Sequence, residues 1–139
     1  KEYNVYIDIE AAEKVYAEWP TPIVASGFEV GLAIEYPASS IVADYEYVPH
    51  HPLKEAYGLY LKMPYDRPTW DLTSVLYAVR PEHGYFGVSK PGRITVNKEM
   101  VTEFQEVEGG RDRYLTVTPE QIIRVKEALI QLSSQPPGG

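Results

Sequence analysis

Tyr3-Asn4-Val5-Tyr6-Ile7-Asp8, then Ile9 to Trp19, then Ile23-Val24-Ala25-Ser26: these three consecutive segments decide the fold class. In the first, Tyr3, Val5 and Ile7 fall on one face at the period of a short strand. Asp8 reads as an N-cap, its carboxylate placed to accept a backbone N–H of the following turn. Ala12, Val15, Tyr16 and Trp19 then recur on one side of a helix, and Pro20 and Pro22 stop it. Ile23–Ser26 is a short continuous apolar run, as in a parallel strand buried on both faces. Strand, helix and strand in so short a span make a βαβ unit, which predicts an α/β fold.

Outward from that unit the pattern is mixed. A helical turn is expected through Val30 and Ile34, ending at Pro37, followed by loop from Ile41 to His51. Pro52 opens a helix running to about Leu61. Met63 to Pro68 reads as loop. Thr69 is placed to cap a helix carrying Leu72, Val75, Leu76 and Val79, which Pro81 stops. After Gly84 the chain turns β-rich, with runs at Tyr85–Val88, Arg93–Val96, Thr102–Val107 and Tyr114–Val117. Gly92, Asn97 and Gly109-Gly110 mark turns between them. Thr118-Pro119-Glu120-Gln121 is a capping-box signature for a final helix bearing Ile122, Ile123, Val125, Leu129 and Leu132. The expected organisation is one domain portion over residues 1–132 and a disordered tail over 133–139.

Composition narrows the function classes. The 139 residues are 44% hydrophobic and 24% charged, with a formal net charge of -7. An acidic surface repels phosphate backbones and anionic headgroups, so neither nucleic acid nor membrane is expected as a partner. No apolar run approaches the roughly 20 residues of a membrane span. With no Cys, thiolate catalysis, disulfides and zinc-thiolate sites are excluded together. Twelve Tyr supply apolar area with a hydrogen-bonding tip, a bias that suits a polar ligand site or a partner surface.

Glu2-Tyr3-Asn4-Val5-Tyr6-Ile7-Asp8-Ile9-Glu10-Ala11-Ala12 resembles a segment of the nucleoside hydrolases usually written E-F-N-x-x-x-D-P-E-A-A. Pro22-Ile23-Val24 and Phe28-Glu29-Val30 resemble the next strand of that family and its exit, where Asp-Val-Thr is frequent. Thr69-Trp70-Asp71 sits where the family has its late metal-ligand Asp, preceded by His or Trp. The β-rich tail and final helix match in order, so the resemblance spans nearly the whole chain and corresponds to the C-terminal half of that family. It implies part of an open, Rossmann-like sheet with helices, plus a β-rich C-terminal extension and a final helix. It implies a calcium-dependent N-glycosidase that hydrolyses ribonucleosides to base and ribose. The family's N-terminal Asp cluster, of the type D-x-D-x-x-x-D-D, has no match here. Family members run to roughly twice this length, on the scale of a large domain. The chain is therefore expected to be a fragment or one chain of a split protein, inactive alone, with a missing N-terminal half or second chain as partner and homo-oligomerisation possible. The alternative is a non-catalytic sugar- or nucleoside-binding or interaction protein of the same fold.

The resemblance implies roles for four residues, each with a plainer reading beside it. Glu2 and Asn4 would grip ribose hydroxyls; otherwise they are the polar edge of a strand. Asp71 would be a calcium ligand; from residue pattern alone it is a first-turn Asp that favours the helix dipole. Trp70 would stack on the base, as in the purine-preferring branch, where other members carry a proton-donating His; the alternative is a core Trp. These four are expected to line one cleft. Asp8 and Glu10 are read as capping residues, and Asp66 with Arg67 as a surface ion pair. His50-His51 is read as loop rather than zinc site, and His83 has no visible companion. Gly87, Gly92, Gly109 and Gly110 lack the strand–glycine–helix order of a phosphate loop.

Overall fold

The computed structural model describes residues 2–136. Their architecture is mixed α/β, as the sequence predicts. The residues divide into two compact units, one formed by Lys1–Ala25 with Val88–Thr116 and the other by Ser26–Gly87 with Val117–Gly139.

In the first unit, α1 (Tyr3–Ile7) is followed by α2 (Ile9–Glu18) and β1 (Val24–Ala25). The expected strand over Tyr3–Ile7 is thus a helical turn, with the Tyr6 amide donating to the Glu2 carbonyl at 2.9 Å. Of its alternating apolar set only Val5 is buried; Tyr3 and Ile7 are exposed. Five residues are too few to separate a period of 2 from one of 3.6, and burial of one face residue suits either. Asp8 is the cap it was read to be, its Oδ1 accepting from the Ala11 amide at 2.9 Å. β1 pairs in parallel with β7 (Arg113–Thr116): Val24 and Ala25 register with Arg113 and Tyr114. β7 is the middle strand of a three-stranded sheet whose other edge is β4 (Gly87–Val88). β5 (Gly92–Val96) and β6 (Thr102–Glu106) form an antiparallel hairpin, with Ile94 opposite Phe104.

Asp112 ties this unit together. Its side chain is fully buried, with Oδ2 accepting from the Ile94 amide at 3.0 Å, and its backbone pairs with Gly92. Gly92 lies so close beneath the Phe104 ring that a Cβ there would collide with it. The neighbouring Arg111 closes the end of α2, donating to the carbonyls of Tyr16, Ala17 and Trp19. These are terminal carbonyls with no helical partner, and a cation suits the negative end of the helix.

The second unit runs α3 (Phe28–Ala33), β2 (Glu35–Tyr36), α4 (Ala38–Ala43), α5 (Pro52–Tyr60), β3 (Arg67–Pro68), α6 (Leu72–Val79), a 3-10 turn (Pro81–His83) and α7 (Pro119–Ser134). The single turn expected up to Pro37 is α3 and β2, and the expected loop from Ile41 begins inside α4. β2 pairs antiparallel with β3, so Arg67–Pro68 is not loop. The core gathers Val30, Ile34, Ile41, Leu76, Val125 and Leu129. Within it lies a hydroxyl cluster: Tyr36 Oη is 3.0 Å from Ser40 Oγ, 2.8 Å from Tyr45 Oη and 2.9 Å from Ser133 Oγ. Ser133 in turn donates to the Leu129 carbonyl. α7 begins with the predicted capping box, both arms formed between Thr118 and Gln121. It continues to Ser134, so Ser133 and Ser134 of the expected tail are helical; residues 137–139 of that tail lie outside the described residues.

Candidate functional site

The second unit holds the more structured of the two candidate regions, at the start of α6. Trp70 has φ 39, a left-handed value that side chains other than those of Gly, Asn and Asp rarely take. Both flanks are pinned. The Thr69 amide is shared between the carbonyls of Gly31 (3.2 Å) and Ile34 (3.0 Å). On the other side, the fully buried Thr73 donates its hydroxyl to the Trp70 carbonyl at 2.7 Å, and Ser26 Oγ lies 2.5 Å from that hydroxyl. Thr73 has one proton and gives it to the carbonyl, so Ser26 is the donor in the second bond. Strain held this firmly from both sides is a mark of functional positions.

The Trp70 ring is half-buried, so it is not the core Trp of the plainer reading. It lies against Phe28, with ring centroids 5.1 Å apart and planes tilted by 36°. Phe28 itself is 62% exposed, so the pair forms part of the surface. Asp71 follows directly and precedes α6. It is exposed, and its side chain makes no capping bond. Thr69 does not cap α6 through its side chain either, because Thr69 Oγ1 is buried without a hydrogen-bond partner among the described residues. The N–H that its side chain would have served, that of Leu72, bonds the Thr69 carbonyl at 2.9 Å.

Glu2 and Asn4 belong to the first unit and stand at the start of α1, not on a strand. Glu2 Oε1 is committed to Thr102, accepting from its amide at 3.2 Å and from its hydroxyl. Asn4 is exposed and lines a shallow groove of about 260 Å³ together with Val5, Asp8, Ala12, Val15 and Tyr16. That volume falls below the ~300–1,000 Å³ of typical ligand pockets. Burial raises the Tyr16 phenol above its ordinary value, and the carboxylates of Glu2 and Asp112 add to the effect. Tyr16 is therefore a neutral hydrogen-bonding group at physiological pH.

Among the described residues, no group of three or more His, Asp or Glu side chains could hold a metal ion. Calcium takes 6–8 oxygens, and Asp71 offers one carboxylate. The described residues alone do not supply the ligand set of the calcium ion that the family resemblance implies.

The remaining chemistry-bearing residues are structural. His50 Nδ1 pairs with Glu55 Oε1 at 2.8 Å on the surface. His51 accepts from the Leu53 amide at the start of α5 and packs its ring 4.4 Å from that of Tyr45. His83 stacks on Tyr85. Asp66 does not form the expected ion pair with Arg67: its Oδ1 accepts from the Ala38 amide at 2.8 Å, while Arg67 lies over the Tyr60 ring. Sequence reasoning missed Phe28, Gly31, Ser26 and Thr73 as parts of the Trp70 region. Each is ordinary in its own segment and gains meaning only through long-range contact.

No protein-family model, curated protein or solved structure matches this chain.

Proposed function

We propose that this chain is part of a nucleoside-hydrolase-like N-glycosidase, acting on ribonucleosides to release base and ribose. The observation that carries the reading is Trp70. A half-buried tryptophan held at φ 39 beside Phe28, with an exposed and uncapped Asp71 next in sequence, is an expensive arrangement for a helix start that any ordinary cap could serve. The ordered resemblance of the Glu2–Ala12 and Thr69–Asp71 segments supports the same reading.

In such a reaction water oxygen bonds to the anomeric carbon as the C–N bond breaks, and the departing base gains a proton. Positive charge builds on the sugar, as in glycoside hydrolysis. Trp70 offers a π-face that orients the base, and stacking of this kind is worth ~1–3 kcal/mol. The resemblance gives the ribose hydroxyls to Glu2 and Asn4, of which Glu2 Oε1 is held by Thr102. Asp71 contributes negative charge, and the other groups of a calcium site would come from outside this chain.

A second reading, a non-catalytic nucleoside- or sugar-binding or interaction protein, is favoured by Asp71 having no companion acidic cluster among the described residues. Hydrolysis of inosine and adenosine with calcium present separates the two. The test compares this chain with the longer, extended form that the hydrolase reading requires. The hydrolase reading expects turnover in the extended form and none in this chain alone, because such catalytic parts act as a unit. Base binding without turnover in either form supports the second reading.

A further inference from the structure

We infer that α3 is the specificity element of the Trp70 region: Phe28 extends the stacking surface toward two-ring bases, and Gly31 is the positioning residue that seats Trp70. This rests on the nucleobase reading of Trp70 and adds residues that the sequence resemblance does not assign.

Two independent observations carry it. The first is backbone contact. A Cβ built on Gly31 would lie 2.8 Å from Trp70 Cα, 3.0 Å from its amide nitrogen and 3.0 Å from ring carbon Cε3. The colliding atoms are mainly backbone, so a side chain at position 31 cannot be relieved by a rotamer change. Trp70 reaches its left-handed conformation against α3 only because residue 31 has none, and the Gly31 carbonyl meanwhile takes the Thr69 amide. The second is the ring pair. Phe28 stands at the first position of α3, 62% exposed, with its ring tilted by 36° against the indole. A large aromatic residue left so exposed at a helix start contributes little to the core. Placed beside Trp70, it widens the apolar aromatic surface beyond a single indole. A purine covers more of such a surface than a pyrimidine does, so removing Phe28 should cost purines more.

The test uses Trp70 fluorescence in this chain of 139 residues, where Trp19→Phe leaves Trp70 as the single tryptophan of two. Adenine, hypoxanthine and uracil are titrated as free bases, so the readout does not depend on hydrolysis. The inference expects purines to quench Trp70 at concentrations about tenfold below uracil. Phe28→Leu, which keeps apolar bulk and loses the ring, should bring purine binding down to the uracil level. Gly31→Ala should shift the Trp70 emission maximum and weaken all bases, with the circular dichroism spectrum unchanged; if that variant unfolds, Phe28→Leu decides alone. An unchanged purine-to-uracil ratio in Phe28→Leu overturns the inference, as does failure of every base to quench Trp70. Quenching with the expected ratio, but no nucleoside hydrolysis by the longer form that the hydrolase reading requires, leaves the inference standing and removes the hydrolase reading. Hydrolysis with a Phe28-independent base preference does the reverse.

Discussion

At the residue scale, what matters is how single side chains are satisfied or left strained. Tyr45 is 0% exposed and shares its hydroxyl with Tyr36 and Ser133. Burial pushes its phenol well above the ordinary value of 10.0, and the Ser133 hydroxyl pulls it back in part. A raised folded-state value means that folding favours the neutral phenol. The stabilisation is fully present below pH 10 and is lost as pH rises above 10 through the folded value. The protein is therefore expected to lose stability steeply in alkali. Urea denaturation from pH 8 to 11 should show a shallower loss for Tyr45→Phe than for the wild type. The same variant should be about 1 kcal/mol less stable at pH 8, from its lost hydrogen bonds. An equally steep alkaline loss in the variant would place the titrating group elsewhere. None of this was legible in the sequence: Ser133 sits in a polar run that reads as tail, and its partners lie far away in the chain. The Thr69-Trp70-Asp71 motif singles out Trp70 by resemblance, but its strain was not legible, because the positive φ depends on Gly31 and Thr73.

At the element scale, the starts of α2 and α7 were legible, the start of α6 at Thr69 was not, and short runs misled. Asp8 and the Thr118–Gln121 box announce helix starts by local chemistry, and local chemistry suffices where side chain and backbone lie within one turn. Replacing Thr118 with Ala should cost about 1 kcal/mol and lower Tm by a few degrees; an unchanged Tm would mean that the first turn of α7 is held by packing. Tyr3–Ile7 misled because its alternation has a helical reading of equal quality at that length. β3 was hidden by Pro68, a residue strands admit only at edges, and a two-stranded ribbon is all edge. The link between β5 and Asp112 was likewise invisible, since Ile94 and Asp112 lie 18 residues apart and no local pattern marks Asp112 as buried. Asp112→Ala strands the buried Ile94 amide and should destabilise by roughly 1–3 kcal/mol. Asp112→Asn keeps an acceptor and should lose less. Equal losses from the two variants would show that charge, not the Ile94 bond, is what Asp112 supplies.

At the scale of the whole molecule, the α/β character holds although the βαβ unit that predicted it does not, its first strand being the helical turn α1, and the parallel character of β1 was legible in its continuous apolar run. The pairing partner was not, since β7 lies some ninety residues away and no turn chemistry connects the two. The candidate site divides the same way: Trp70 and Asp71 stand on one compact unit, Glu2 and Asn4 on the other. The central claim is that Asp71 serves hydrolysis of a ribonucleoside. Its most direct test is release of free ribose from inosine and adenosine, with calcium, by the longer form that the hydrolase reading requires, as wild type and as Asp71→Ala. The account predicts turnover by the wild type and a loss of about 10–100-fold in the variant, with circular dichroism unchanged. Turnover untouched by Asp71→Ala, or no hydrolysis of either nucleoside by the wild type, would contradict it.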